Sequence, residues 1–319
     1  MTEFEVIQKF FNFEQKLSKS IIQSIGDDCA VLDIPNNRQL VTSTDTLVSG
    51  VHFFADASPQ QIAYKALAAN VSDLLAMGAK PLAFTLAMSL PEIDPDWLKA
   101  FSQELQAQAK HYRINLIGGD TTRGALSITI SVLGLVKKGR AVSRSQAQIA
   151  DDIWVTGNLG AARAALKLHK KAQLNADEQQ LWLALTRPQL AASFARKLAK
   201  FATAAIDVSD GLLADLGHIL VQSKVGASID VEALPLSESL INHLSLEAAR
   251  QSALAGGDDY QLCFTANKKH RAKILTQTQK TQTQVTRVGI ICAQGLNVLL
   301  NGEPYPITEN SWQHFNRDA

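Results

Sequence analysis

Ala204-Ala205-Ile206-Asp207-Val208-Ser209-Asp210-Gly211-Leu212 carries an apolar run, an acid-bearing turn and the start of a helix. Ala204–Val208 predicts a strand, and the periodicity from Leu212 to Gln222 predicts a helix. Ser209 or Asp210 is a natural N-cap for that helix. A helix N-terminus attracts phosphate. Two Asp beside it would repel phosphate, so a bridging metal is the consistent picture. A plain capped helix accounts for one Asp of this turn and not for both.

Working outward, acids recur in short Gly/Ser/Thr-rich stretches. These are Gly26-Asp27-Asp28, Ser43-Thr44-Asp45-Thr46, Asn70-Val71-Ser72-Asp73, Gly118-Gly119-Asp120-Thr121-Thr122-Arg123 and Gly256-Gly257-Asp258-Asp259-Tyr260. Singly, each is an ordinary turn, because Asp and Gly favour turns for local reasons. Together they suggest carboxylates converging on one place. Two carboxylates about 4 Å apart repel by roughly 4 kcal/mol at an effective dielectric of about 20, so such a cluster needs cations. Oxygen ligands without Cys or His clusters favour Mg²⁺ or Ca²⁺. EF-hand spacing is absent, which weighs against Ca²⁺.

The rest of the chain mixes strand-like and helical patterns. Gln39–Ser43, Leu82–Leu90, Ile114–Ile117 and Leu126–Val136 read as strands. Ser58, Pro59 and Gln61 announce a helix that runs through Ile62, Ala66, Ala69 and Leu74 to Met77, with Gly78 to stop it. A second helix spans Asp96 to His111. The basic, polar stretch from Lys137 to Asp152 reads as an inter-domain connection. Beyond it, Ile153–Thr156, Ala227–Val231, Tyr260–Thr265, Val285–Ile291 and Asn297–Leu300 read as strands. Leu159–Leu168, Asp177–Leu185 and Leu190–Lys200 read as helices. The expectation is an α+β protein of two domains, residues 1–138 and 139–319.

Composition narrows the function classes. The chain has 319 residues and 46% apolar residues, enough to bury sizeable cores. A net charge of +1 without a long basic run argues against nucleic acid as an obligatory partner. No stretch reaches 18 apolar residues, so no membrane span is expected. Cys29, Cys263 and Cys292 show neither CxxC nor zinc spacing, which suits a reducing compartment and a cytoplasmic enzyme.

Asp45 follows Thr42-Ser43-Thr44, whose hydroxyls could join it around Mg²⁺, although taken alone an Asx-turn at a polar strand end explains it better. Asp73 falls inside a helix, three residues after Asn70 and among Leu67, Val71, Leu74 and Leu75. A carboxylate on that partly apolar face needs a partner or an ion, unless the two belong to an exposed polar stripe. Gly118 and Gly119 would let the backbone approach a ligand beside Asp120. Arg123 and Arg144 could offset phosphate charge. His52 is a substrate contact only if it is not structural. No HExxH, GxxxxGK[ST] or convincing Ser/His/Asp order occurs.

Jointly these stretches resemble the thiamine-monophosphate kinase family. The resemblance covers Ile25–Ala30, Ser43–Val48, Asn70–Leu74, Met77–Ala79, Gly118–Thr122, Ile206–Leu212 and Gly256–Tyr260, in family order along nearly the whole chain. It implies the two-domain fold of aminoimidazole ribonucleotide synthetase and a homodimer formed through the N-terminal domain. It implies transfer of the ATP γ-phosphoryl group to thiamine phosphate with several Mg²⁺ ions. By the family pattern Asp28, Ser43, Thr44, Asp45, Asp73, Asp120, Asp207 and Asp210 contact Mg²⁺. Gly119, Asp120, Arg144 and Ser209 would contact ATP, and His52, Asp258 and Trp312 the thiamine phosphate. The family more often has Glu where this chain has Asp258. Asp45, Asp73, Asp120 and Arg144 are the residues expected to carry catalysis.

A phosphate monoester is already anionic at neutral pH, so such an acceptor needs little or no general base. Catalysis would then be positioning and charge neutralisation. Clustered acids would equally suit a metal-dependent phosphohydrolase, or a Mg²⁺- or nucleotide-binding module without turnover. Selenide water dikinase shares the general pattern but carries a reactive residue in an N-terminal Gly-rich segment. This chain has no cysteine before Cys29.

Overall fold

The computed structural model describes residues 1–13 and 15–311. Two compact units divide the chain: Met1–Leu74 with Ala79–Ala141, and Leu75–Gly78 with Val142–Ala319.

The first unit opens with α1 (Glu3–Val6), β1 (Ile21–Gln23) and β2 (Val31–Leu32), and β1 and β2 pair antiparallel. Then come β3 (Arg38–Val48), α2 (Pro59–Ala76), β4 (Lys80–Leu90), α3 (Pro95–Tyr112), β5 (Asn115–Arg123) and β6 (Ser127–Lys137). The four longer strands form one sheet in the order β3-β6-β4-β5, with only the β4–β5 pair parallel. Alternation assigns the faces of this sheet. Ile128, Ile130 and Val132 of β6 are buried, while the residues between them are half-buried. The register aligns Asp45 with Ile130 and Ser43 with Val132, so both side chains share that apolar face. Near one end, the opposite face is covered by a small cluster of Ile21, Leu82, Ala83 and Ile117 with Ala30, Leu32 and Leu133.

α2 is buried nearly all round, from Ile62 through Ala63, Ala66, Leu67 and Val71 to Leu75. Its start is the expected capping box: Gln61 N–H donates to the Ser58 hydroxyl, and Ser58 N–H donates to the Gln61 amide oxygen. α3 is amphipathic and buries Leu98, Phe101, Leu105 and Ala109. Asp94 caps it by accepting from the N–H groups of Asp96 and Trp97.

The second unit holds β7 (Asp151–Thr156), α4 (Ala161–Ala165), α5 (Ala176–Thr186), α6 (Ala192–Ala195), β8 (Ala202–Val208), α7 (Leu212–Ser223) and β9 (Gly226–Asp230). It continues through α8 (Glu238–His243), α9 (Leu246–Ala255), β10 (Gln261–Asn267), α10 (Arg271–Thr281), β11 (Val285–Cys292), β12 (Leu296–Leu300) and β13 (Glu303–Pro304). Its seven-stranded sheet runs β13-β12-β9-β11-β7-β10-β8. Its core joins Ile153, Val155, Ile206 and Val208 from the strands to Leu212, Leu216 and Ile219 of α7. Among the described residues no helix is long and apolar enough to cross a membrane.

Several expected elements differ. Asp45 does not follow a strand; it lies inside β3, because Thr42–Thr46 extends the strand through β-branched and hydroxyl side chains. Gly118–Arg123 is likewise the second half of β5 and not a turn. The expected helix at 190–200 breaks into α6 and a single 3-10 turn at Leu198–Lys200.

Asp94→Ala removes the α3 cap and should cost about 1 kcal/mol. A lower urea midpoint with unaltered catalytic constants is the expected result, because Asp94 lies outside the acid-bearing stretches.

Candidate active site

In the first unit the structure brings Ser43, Asp45, Asn70 and Asp73 together. β3 is an edge strand, so it presents backbone N–H groups that no neighbouring strand receives. The N–H of Asp45 donates to the Asn70 side-chain oxygen at 3.1 Å. Asn70 is fully buried, and its amide nitrogen donates to the Ala66 carbonyl one turn back on α2. One turn forward, Asp73 accepts from the Ser43 hydroxyl at 2.5 Å. The i, i+3 spacing of Asn70 and Asp73 thus clasps the strand at two points. Burial, and then the neighbouring charge of Asp73, push the Asp45 carboxyl up to about 6.

The other expected residues of this unit lie elsewhere. The Thr44 hydroxyl is on the opposite sheet face, donating to Ser131 at 2.8 Å. Asp28 is exposed, and its N–H donates to the Asp27 carboxylate. Asp120 is exposed on β5, in register with Ala87. Two strands separate β5 from β3, so Asp120 and Asp45 stand roughly 14 Å apart across the sheet at the usual strand spacing. Gly119 has a structural reason of its own: an added Cβ would lie 1.8 Å from the Leu86 carbonyl oxygen. His52 accepts the Val48 N–H on Nδ1 at 3.0 Å. Lys65, itself buried, donates to the His52 carbonyl.

In the second unit two backbone turns are laced together. Asp207 is the buried next-to-last residue of β8, and Ser209, Asp210 and Gly211 follow the strand. Asp258 N–H donates to the Ser209 carbonyl and Tyr260 N–H to the Val208 carbonyl, each at 2.8 Å. Asp258 and Tyr260 both have positive φ, at 65° and 49°. Such conformations cost of order 1–3 kcal/mol each and persist only where the surroundings enforce them. The Tyr260 hydroxyl donates to Asp258 at 3.0 Å, so this shorter acid is held from within its own turn. Arg144 is exposed, and its carbonyl accepts from Ser223. Trp312 lies outside the described residues.

Neither Ser209 nor Asp210 caps α7. Gly211 is the N-cap residue, without any side-chain bond, and the three N–H groups of Ser209, Asp210 and Gly211 donate to Asp215 inside the helix. Of the N–H groups that this helix start presents, Asp215 engages that of Gly211. Asp259 is a second acid that the sequence did not single out. It is buried and accepts the Gly160 N–H at 2.7 Å and the Ala162 N–H, which anchors the Gly256–Tyr260 turn to the start of α4. Burial pushes Asp259 up to about 8 and Asp215 up to about 7, against the lowering effect of those N–H groups.

Among the described residues no group of three or more His, Cys, Asp and Glu side chains is placed to hold a metal ion. The Asp45–Asp73 pair with the Ser43 hydroxyl nevertheless fits Mg²⁺. All its donors are oxygens, and the charge of Asp73 adds to the cost of ionising Asp45. Mg²⁺ usually takes one or two carboxylates and completes its shell with water and substrate phosphate.

Residues 26–136 match the AIR synthase related protein N-terminal domain, and residues 150–300 match the corresponding C-terminal domain. A thiamine-monophosphate kinase of Haemophilus influenzae is 41% identical over 99% of this chain and 98% of its own length. The crystal structure of thiamine-monophosphate kinase from Stenotrophomonas maltophilia superposes with a TM-score of 0.84 at 44% identity, covering 95% of this chain and 96% of that one. A structure described as AaThiL complexed with AMPPCP and TMP gives a TM-score of 0.79 at 29% identity, covering 98% and 96%.

The raised Asp45 carboxyl has a sign that can be tested. A folded-state value above the unfolded one means that ionisation opposes folding, so stability falls as pH rises from about 4 to about 6. Asp45→Asn removes that penalty. In metal-free buffer the variant should match the parent at pH 4. Above pH 6 it should be more stable by roughly 1–2 kcal/mol, once solvent screening of this partly exposed group is allowed for. Thermal melts at pH 4 and pH 7.5 check this.

Proposed function

The chain belongs to the thiamine-monophosphate kinases among the AIR synthase related proteins, and from that membership we propose that it transfers the γ-phosphoryl group of ATP to thiamine phosphate. The products are ADP and thiamine diphosphate, which makes this the last step in forming that cofactor. The observation that carries the reading is identity of 41% sustained over 99% of the chain.

The acceptor oxygen belongs to a phosphate monoester and is anionic before the reaction begins. The chain therefore has no proton to remove, and its task is to hold two anionic partners in line. Mg²⁺, when bound, supplies charge neutralisation between the phosphates. Asp45, Asp73 and Ser43 are the residues of the first unit best arranged to hold it. Asp28, Asp120, Asp207 and Asp210 are proposed as further metal contacts, and Thr44 as the weakest of the set because its hydroxyl lies on the sheet face opposite Asp45. Gly119, Asp120, Arg144 and Ser209 are assigned to the nucleotide. His52, Asp258 and Trp312 are assigned to thiamine phosphate. Transfer is direct, without a phosphoenzyme.

We further propose a domain boundary at residues 138 and 139, three residues before the second unit resumes at Val142, with the dimer contact on the N-terminal domain and the protein in the cytoplasm. Among the exposed groups on the sheet face opposite Asp45 are paired hydroxyls, Thr44 with Ser131 and Thr46 with Thr129, which a second copy could cover.

ADP release from Mg-ATP with thiamine phosphate, with thiamine and with neither tests the proposal. Only thiamine phosphate should support release. Equal release with thiamine, or without any acceptor, would replace the assignment with a hydroxyl kinase or a hydrolase. Asp45→Asn should lower turnover by about 100-fold, the usual scale for losing one electrostatic contact in a transition state. Near-normal turnover would make Asp45 a structural strand residue.

A further inference from the structure

One oxygen of Asp215 accepts three consecutive backbone N–H groups: Ser209 at 2.9 Å, Asp210 at 3.0 Å and Gly211 at 3.1 Å. Successive N–H groups converging in this way form an anion-binding nest, the kind of concavity that holds phosphate in other proteins. In this chain a carboxylate from the first turn of α7 fills the nest from within. We infer that Asp215 is a positioning residue for the phosphoryl transfer, setting the Asp207–Gly211 turn so that it meets the nucleotide with its side chains and not its amides. This rests on the reading that Ser209 serves ATP and Asp210 a phosphate-bound metal.

Three observations favour a positioning role over simple capping. The first helical turn favours an acid of any exposure, but a buried carboxylate is costly without full hydrogen bonding. Asp215 is only 3% exposed. A Ser or Thr at the N-cap would satisfy an orphan N–H at far lower cost, yet that position holds Gly211. Gly211 is obligatory there, with φ at 124° and an added Cβ only 2.7 Å from the Ala255 carbonyl carbon. The turn is therefore pressed against the end of α9 on one side and drawn onto Asp215 on the other. The third observation is its coupling to the second acid turn, since the Ser209 carbonyl accepts from Asp258. A shift of the nest would move Ser209, Asp210 and Asp258 together.

The consequence for binding is definite. With the amides of residues 209–211 engaged, what this turn offers a ligand is the Ser209 hydroxyl and the Asp210 carboxylate. An acid in a phosphate site is tolerable only beside a cation, which agrees with a metal-bound nucleotide and not free ATP as the ligand.

The test is Asp215→Ala, which empties the nest, assayed with Mg-ATP and thiamine phosphate. The folded variant should lose about 100-fold in kcat, as expected for a misplaced binding group. Formate is a carboxylate small enough for the vacated space. At tens of millimolar it should restore kcat by about tenfold or more in this variant and in neither the parent nor Asp45→Asn. The amide ¹H–¹⁵N signals of Ser209, Asp210 and Gly211 should move in Asp215→Ala and return towards the parent positions with formate. Asp215→Asn, which keeps the size and one acceptor, should fold and show an intermediate kcat. Unchanged kcat in either folded variant overturns the inference. So does formate that restores the amide signals without restoring turnover, and so does failure of both variants to fold, which would assign Asp215 to the fold alone. A parent protein without acceptor-dependent turnover overturns the functional reading instead, and the amide response to formate still reports on Asp215.

Discussion

A carboxylate held out of water must find hydrogen-bond donors or a cation, and this molecule uses both solutions. Asp215 and Asp259 are buried and are satisfied by backbone N–H groups of neighbouring turns. They act as internal anchors. Asp45 is different: the strongest charged influence on it is another acid, Asp73. The clasp that sets this pair is built from neutral groups, the Ser43 hydroxyl and the Asn70 amide. Acids that stabilise the scaffold are thus separable from acids that await a cation. The distinction lies in what surrounds each group and not in its residue type.

The arrangement also explains why the site is built on regular elements. β3 carries Ser43 and Asp45 on one face because side chains alternate, and α2 carries Asn70 and Asp73 on one face because three residues complete most of a helical turn. A strand and a helix joined at two hydrogen-bonded points hold the acids more firmly than a loop could. The second unit reaches comparable rigidity by another route. Its two acid turns are irregular, and Asp258 and Tyr260 adopt left-handed backbone conformations, so each turn is fixed by bonds to the other and to a buried acid.

Much of this was legible in the sequence. The Ser58-Pro59-Gln61 start of α2, the existence of α3 from about Asp96 and the strand, turn and helix around Asp207–Leu212 follow from local chemistry that tertiary structure did not override. The placement of Asn70 and Asp73 on a single apolar helix face was also readable. The strand environment of Asp45 and Asp120 was not, because Ser, Thr, Gly and Asp in sequence look like a turn. What decides the matter is pairing with β6 and β4, a non-local fact. Separation of Asp120 from Asp45 by two strands is a property of strand order, which no local pattern encodes. Asp215 and Asp259 were invisible for a related reason. Asp215 looks like any acid near a helix start, and Asp259 sits in the shadow of Asp258. Their partners are backbone groups, which leave no residue-type signature.

The central claim is that Asp45 is a cation-awaiting acid, while Asp215 and Asp259 are anchors. Carboxyl ¹³C titration of the full chain, with and without Mg²⁺ and a non-hydrolysable ATP analogue, tests it most directly. The account predicts that Asp45 titrates near 6 in metal-free protein and is drawn well down when Mg²⁺ and nucleotide are added, while Asp259 keeps its high value. An Asp45 that titrates in the ordinary carboxylate range without metal, or that ignores Mg²⁺ and nucleotide, would contradict it.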